Sequence, residues 1–324
     1  MGTPETWVVV LAGGEGKRLA SLTRALYGRD LPKQFAVLAG TRSLLQETIE
    51  RAARLTERER TIVVVSRAHQ ALARAQLAPY PGVHVLVEPR GLDTAPGLMY
   101  PLAYLRARSP EARVVVLPAD HHLSDVEPMR RAIERAANHR ASRRRVTLVG
   151  VEADRPETEY GWIVPGARVA GGESGAVWNV RAFVEKPSED VARRLCARGA
   201  VWNTFIVTGP VEALWELART RLPAHARAFE AWAAASRGTR PDEELDALYA
   251  RLAPASWSVD VLAATPPSRL ALVAMAGTGW SDWGSPRRVF ESLRGSADQA
   301  RLRSRISSAR TVAARRGARL AEVG

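Results

Sequence analysis

Three lysines stand in this chain, Lys17, Lys33 and Lys186, against 44 arginines. A chain that writes nearly every cation as arginine has kept the compact, flexible ammonium at three places, and each lies in a segment that other residues also mark out. Lys17 closes the glycine loop Leu11-Ala12-Gly13-Gly14-Glu15-Gly16-Lys17-Arg18, which follows the apolar run Trp7 to Val10. A P-loop needs Ser or Thr after Gly-Lys to hold magnesium, and Arg18 stands there instead. A dinucleotide fingerprint G-x-G-x-x-G starting at Gly14 needs a third glycine at position 19, which is Leu19. What is left is a loop whose backbone N–H groups can approach a polyphosphate, with positive charge at its end to neutralise it.

Lys33 belongs to Pro32-Lys33-Gln34-Phe35, and two aspartates are candidates to complete such a site. Asp120 follows Val114-Val115-Val116-Leu117-Pro118-Ala119, a strand that delivers a carboxylate at its carboxyl end. Asp282 lies among glycines in Gly277-Thr278-Gly279-Trp280-Ser281-Asp282-Trp283-Gly284, just ahead of a helix expected near Pro286. Magnesium takes one or two carboxylates and completes its shell with water and phosphate, so an aspartate pair over a triphosphate suits phosphoryl chemistry. Taken singly, Asp120 reads equally as a turn or cap residue, and for Asp282 a helix cap is the better reading. Lys186, in Phe183-Val184-Glu185-Lys186-Pro187, forms either a solvated pair with Glu185 or a binding contact. Asn203, after Trp202, is a turn residue or an amide with donors and acceptors for sugar hydroxyls.

The elements that must position these groups alternate. Strands are expected at Thr61–Val65, Val83–Val87, Arg113–Leu117 and Val146–Val151, and helices at Ser43–Leu55, Ala68–Leu77, Ala95–Arg108 and Met129–Asn138. This pattern implies an α/β fold with a mainly parallel, Rossmann-like sheet covered on both faces, with ligands beyond the carboxyl ends of the strands. Past residue 151 a smaller β-containing portion begins. Tyr160–Pro165 and Trp178–Glu185 read as a strand pair joined by a turn at Gly171–Gly175. A helix at Ser188–Arg198, a strand at Val201–Val207, helices within Pro210–Leu252 and strands at Trp257–Leu262 and Leu270–Met275 follow. The arginine-rich segment Ser296–Leu320 is expected to be helical, as a solvated helix or as a homodimer contact. Residues 1–295 form the expected main unit, with halves at 1–151 and 152–295, and residues 296–324 the helical C-terminal segment.

The net charge of +13 over 324 residues raises nucleic acid as a partner. Its distribution opposes that, because arginines are interleaved with glutamates rather than gathered in a patch. The single cysteine, Cys196, excludes an internal disulfide and suits a reducing cytoplasm. No apolar run approaches the roughly 20 residues of a membrane span, and the N-terminus reads as strand rather than export leader.

Taken together and in order, Leu11–Leu19, Pro32–Phe35, Glu88-Pro89-Arg90-Gly91-Leu92-Asp93-Thr94-Ala95-Pro96, Pro118–His121, Val184–Pro187, Trp202-Asn203 and Gly279–Gly284 resemble the sugar-phosphate nucleotidyltransferases. Within them the chain is most similar to bacterial mannose-1-phosphate guanylyltransferases of the short form, without an isomerase domain. The likeness runs from about Val8 to Leu293. It implies attack of a sugar 1-phosphate oxygen on the α-phosphorus of an NTP, GTP first among them, with loss of pyrophosphate. Asp120 and Asp282 would hold Mg2+, and Arg18 and Lys33 would neutralise the phosphates. The nucleotide would meet Leu11, Ala12, Gly13, Gly14, Gly16, Lys17 and Arg18, and its base Glu88, Arg90, Asp93, Thr94 and Ala95. Gly161, Glu185, Lys186 and Asn203 would meet the sugar phosphate. Three departures fall near the first loop and the sugar pocket. Ala20-Ser21 stands where the family has Trp-Pro, Glu159 where it has Gly, and Thr204-Phe205-Ile206-Val207 where it has Ser-Gly-Met-Phe. Another base or sugar, or a non-catalytic nucleotide-sugar binder, are the alternatives these departures leave open.

Overall fold

The computed structural model describes residues 5–139, 144–169, 176–235 and 242–321. The valine-rich strands are buried on both sides: Val8, Val9 and Val10, like Val114, Val115 and Val116, expose nothing. Side chains alternate across a strand, so such runs demand cover on both faces. The strands are β1 (Thr6–Leu11), β2 (Thr61–Ser66), β3 (His84–Glu88), β4 (Arg113–Pro118), β5 (Val146–Glu152), β6 (Gly161–Arg168), β7 (Trp178–Glu185), β8 (Val201–Pro210) and β9 (Leu270–Met275). They form one sheet in the order β3-β2-β1-β4-β8-β5-β9-β7-β6. Its first part, β3-β2-β1-β4, is parallel as expected, and so is β5 with β9. Antiparallel β8 joins the two parts, pairing with β4 and β5. β6 pairs with both β7 and the start of β8, so this end of the sheet curls back on itself.

The helices are α1 (Ala20–Tyr27), α2 (Leu44–Ala52), α3 (Gln70–Leu77), α4 (Thr94–Arg108), α5 (Glu127–Asn138), α6 (Glu189–Ala197), α7 (Val211–Arg221), α8 (Pro223–Ala235), α9 (Asp242–Arg251), α10 (Pro286–Ser292) and α11 (Ala297–Ala321). One face of the sheet packs on Leu22 of α1, Ile49 of α2, Leu77 of α3, Ile133 of α5 and Val289 of α10. The other packs on α4, Leu214 and Trp215 of α7, Phe229 of α8 and Tyr249 of α9. Helix α2 starts where it does because Ser43 and Gln46 cap each other reciprocally. Helix α11 is tied to the body through Leu302, which is buried, and through Arg305, which donates to the Val37 carbonyl at 2.7 Å.

Two sequence expectations change. Trp257–Leu262, expected as a strand, is a π-helical turn. Its alternation also places Trp257 and Val261 four residues apart, and both are buried against the α4 and α7 side. Ser256 and Asp260 bond each other's backbone and side chain locally, which competes with a ladder. Ala20–Tyr27, unassigned from sequence, is helix α1. The turn expected at Gly171–Gly175 lies outside the described residues.

Candidate active site

The carboxyl ends of β1, β2, β3 and β4 open into a cavity of about 590 Å³. Leu11, Ala12, Gly13, Gly14, Glu88, Asp93, Thr94 and Asp120 line it, joined by Gln34, Gly97, His121 and Phe205. A second cavity of about 260 Å³ is lined by Gly16, Lys17, Arg18, Lys33, Asp120 and Gly284. Asp120 and Glu15 belong to both, so the aspartate stands where the two spaces meet. One space is largely apolar in lining and the other basic, which suits a nucleoside and its phosphates respectively.

The glycine loop is fixed from below. Gln34 donates its side-chain amide to the carbonyls of Ala12 and Gly14 at 2.9 and 2.6 Å. Gly16 takes φ 63°, and a Cβ there would sit 2.6 Å from the Lys33 nitrogen, so only glycine lets the loop close onto Pro32-Lys33. Gly13 is equally confined, since a Cβ would meet Glu88 Oε2 at 2.8 Å.

Lys33 is the buried hub. Its Nζ lies 3.0 Å from Asp120 Oδ2 and donates to the backbone carbonyl of Asp282. An ammonium has three N–H donors, so these two contacts leave one for a ligand. Burial is the largest single influence and would raise both aspartates, but Lys33 and His121 together, joined at Asp282 by Arg288 and the Gly284 amide, more than offset it. Both carboxyls are held below the usual range and are ionised at neutral pH. Asp120 keeps 35% of its side chain exposed, whereas Asp282 keeps 11%. Asp282 Oδ1 accepts from Tyr160 Oη at 2.8 Å, from the Gly284 amide at 2.9 Å and from Arg288 at 3.1 Å. Among the described residues its Oδ2 has only Arg288, at 3.2 Å.

Sequence reasoning missed Arg288 as a functional residue. It bridges Asp282, Glu157 at 2.8 Å and Glu159 at 3.1 Å, and Glu159 in turn holds Arg18 at 3.2 Å. One arginine among 44 carries no signal of its own. Glu159 did carry one, as a departure from the family pattern.

The sugar-side residues gather separately. A Cβ on Gly161 would lie 2.5 Å from Glu185 Oε2 and 3.3 Å from the Cβ of Asn203, so these three are in contact. Glu185 Oε2 is buried and makes no hydrogen bond to the described protein. Burial pushes this carboxyl up, with Lys186, 3.8 Å away, opposing. An orphaned acceptor of this kind costs about 1–3 kcal/mol unless a ligand supplies a donor.

Two residues expected at the base are not brought to the cavity. Arg90 turns away and donates twice to the Tyr249 carbonyl, at 3.1 and 2.7 Å. Ala95 is buried in α4, its amide bonded to the Ala255 carbonyl. Arg90, exposed and ahead of α4, ties its loop to α9, whereas Ala95, in the first turn of α4, is carried into the core by that helix.

Every described non-glycine residue with positive φ lies in these segments: Asp93 (68°), Lys186 (44°), Phe205 (59°) and Trp283 (43°). Such strain persists only where surroundings over-determine it, and it concentrates at binding sites.

Glu88 gives a prediction of its own. Burial pushes it up to about 7, with the Tyr249 hydroxyl, donating at 3.1 Å, opposing. Because the folded value exceeds the ordinary 4.5, the folded state binds the proton more tightly. The associated stability is therefore present at acid pH and lost as pH rises through about 7. Glu88→Gln should be more stable than the parent at pH 8, by up to about 3 kcal/mol, and equal to it near pH 4.5. Urea unfolding across that range reads the difference, and parallel curves for the two proteins would reject it.

This combination of fold and site has a family. Residues 7–299 match the nucleotidyl transferase family, and the chain belongs to it. It is 33% identical over 300 residues to mannose-1-phosphate guanylyltransferase of Escherichia coli (strain K12), covering 90% of this chain and 60% of that protein. It is 32% identical to the alginate biosynthesis protein AlgA of Pseudomonas aeruginosa, covering 87% of this chain and 57% of that one. The chain thus spans about three fifths of the length of these relatives. Among solved structures it is similar to a Thermus thermophilus protein described as mannose-1-phosphate geranyltransferase, with 34% identity and a TM-score of 0.76. That match covers 90% of this chain and 79% of the other. Among the described residues no helix is long and apolar enough to cross a membrane.

Proposed function

We propose that this chain transfers a nucleotidyl group, GMP first among candidates, from an NTP to a sugar 1-phosphate, with mannose 1-phosphate the leading acceptor. The observation that carries this is Lys33, a buried ammonium tying Asp120 to the Asp282 segment where the nucleoside-sized cavity meets the basic one. In the reaction an acceptor phosphate oxygen bonds the α-phosphorus, and the bond to the β-phosphate oxygen breaks with its electron pair leaving on pyrophosphate. Phosphoryl transfer leaves little covalent work to the protein, so preplaced charge is the main lever. Lys33 and Arg18 supply it, Arg18 being oriented through Glu159 while its remaining N–H groups stay available.

The base would lie against Glu88 and Gly97. An ionised Glu88 offers an acceptor to the adjacent N–H donors of guanine, an edge that adenine lacks. At the other end, Glu185 Oε2 needs a hydroxyl donor and Asn203 offers its amide group, which suits a sugar.

A divalent cation, Mg2+, fits the donor set in chemistry. Asp120 offers a partly exposed, ionised hard oxygen, and Asp282 Oδ2 the less occupied second one. Among the described residues no three His, Cys, Asp or Glu groups converge as ligands, so water and phosphate would complete the shell. When bound, the metal would supply charge stabilisation at the reacting phosphates.

The test is pyrophosphate release by the purified protein with Mg2+, GTP and mannose 1-phosphate, against a panel of other NTPs and sugar 1-phosphates. Turnover is expected, highest with that pair. Tight nucleotide-sugar binding without pyrophosphate release from any pair would overturn the enzymatic reading.

A further inference from the structure

Phe205 packs against the apolar cluster on the α4 and α7 side and also lines the cleft, but its backbone is strained. Its φ is 59°, a left-handed conformation that costs a bulky residue about 1–2 kcal/mol. The backbone is held there from three sides. In the ladder between β5 and β8, Val149 faces Ile206 and Gly150 faces Asn203, so Thr204 and Phe205 stand out of register as a bulge. Asn203 Oδ1 accepts the Phe205 amide at 3.2 Å. The Thr204 hydroxyl donates to the Val149 carbonyl at 2.6 Å and accepts from the Ile206 amide at 3.2 Å. Glycine would take this bulge without strain, and glycine is what the family pattern has there. Packing against the apolar cluster on the α4 and α7 side offsets part of that strain, and the cavity wall offers the side chain a further use.

That use follows from where the ring lies. Phe205 is half-buried and lines the large cavity with Leu11, Ala12, Pro118 and Asp120. Of the contacting residues Gly161, Glu185 and Asn203, none lines that cavity. Phe205 is thus the point at which the cavity wall joins the strand carrying Asn203, whose side chain also fixes the Phe205 amide. We propose that Phe205 is a specificity-determining residue that partitions the nucleotide cavity from the sugar end of the cleft and limits the bulk of the accepted sugar 1-phosphate. The inference rests on the transfer reading above and adds to it a reason for discrimination between acceptors. Bulges beside active sites commonly re-aim one side chain, and here the re-aimed group is apolar and rigid.

The experiment compares the parent with Phe205→Ala, Phe205→Gly and Phe205→Leu on two acceptors that differ by one acetamido group, a hexose 1-phosphate and its 2-acetamido-2-deoxy counterpart. Alanine opens space but keeps a Cβ at positive φ, glycine opens space and relaxes the backbone, and leucine retains much of the bulk. If bulk is the determinant, the kcat/KM ratio of the larger to the smaller acceptor rises at least about tenfold in both Ala and Gly variants, the scale set by pocket-filling groups, and less in Leu. A ratio within about threefold of the parent's in both would overturn the proposal, as would a change confined to glycine, which would mark a backbone effect. Thermal unfolding of each variant shows whether it is folded; should the smaller replacements unfold, Phe205→Trp carries the comparison, with the ratio expected to fall at least about tenfold and a ratio within about threefold of the parent's overturning the proposal. If the parent turns over no acceptor, the transfer reading itself has failed. The same ratio is then read by calorimetric binding of the two sugar phosphates, with the same outcomes deciding.

Discussion

Lys33→Met is expected to lower kcat/KM for nucleotidyl transfer by about a hundred- to a thousandfold, the scale of removing a preorganised donor from a water-poor site. The side chain is 8% exposed and is the ion-pair partner of Asp120 as well as a donor to the Asp282 carbonyl. Methionine keeps the stem and removes the charge. Asp120 then loses the cation that offsets its burial, so its carboxyl should rise towards or above the ordinary value. The variant should therefore lose its residual activity at a higher pH than the parent on the acid side, because a protonated Asp120 no longer serves as a ligand. Lys33→Arg is not expected to rescue, since a planar guanidinium cannot take the place of a compact ammonium enclosed by two aspartate segments. Pyrophosphate-release kinetics from pH 5 to 9 measure all of this. Activity of the methionine variant within tenfold of the parent would remove Lys33 from the mechanism.

The second large effect separates the two aspartates. Asp120→Ala and Asp282→Ala are both expected to lose transfer, yet the second should lose clearly more stability. Asp282 is buried, and its carboxylate accepts from Tyr160, Arg288 and the Gly284 amide. Removing one member of a buried charge pair costs about 3–5 kcal/mol, because the partners are left unmatched. Glu157 and Glu159 still hold Arg288, which places the expectation at the lower end. Asp120 has a carboxylate about a third exposed, and its loss leaves the buried Lys33 with the Asp282 carbonyl as a remaining partner, so its cost is expected to be smaller. Chemical unfolding of the two variants, beside their turnover, makes the comparison. Equal destabilisation by both would show that Asp120 is part of the scaffold, and an active Asp282→Ala would show that the scaffold is all Asp282 provides.

Much of the fold was legible because it rests on local patterns. Continuous valine runs such as Val8–Val10 and Val114–Val116 can only be strands covered on both faces, and the helices between them follow from apolar spacing. The exception, Trp257–Leu262, shows the limit of that reasoning. Six residues are too few for a period of two to be told from one that brings Trp257 and Val261 onto one side, and the surface offered by α4 and α7 decided between them.

At the site, the residue types and spacings determined the chemistry. A glycine loop with a lysine and an arginine at its end, a second lysine beside a proline, one aspartate after a strand and one ahead of a helix together suit a polyphosphate and a cation. Tertiary structure alone decided which of these groups meet. It brought Lys33 to both aspartate segments across 87 and 249 positions of chain, turned Arg90 and Ala95 into braces, recruited Arg288, which no local pattern singles out, and gave places to Glu159 and Phe205, which the sequence marks only as departures from the family pattern. The physical reason is that charge compensation and steric enclosure depend on distances across the sheet, set by strand order and by one bulge in β8, and no neighbourhood in sequence encodes those distances.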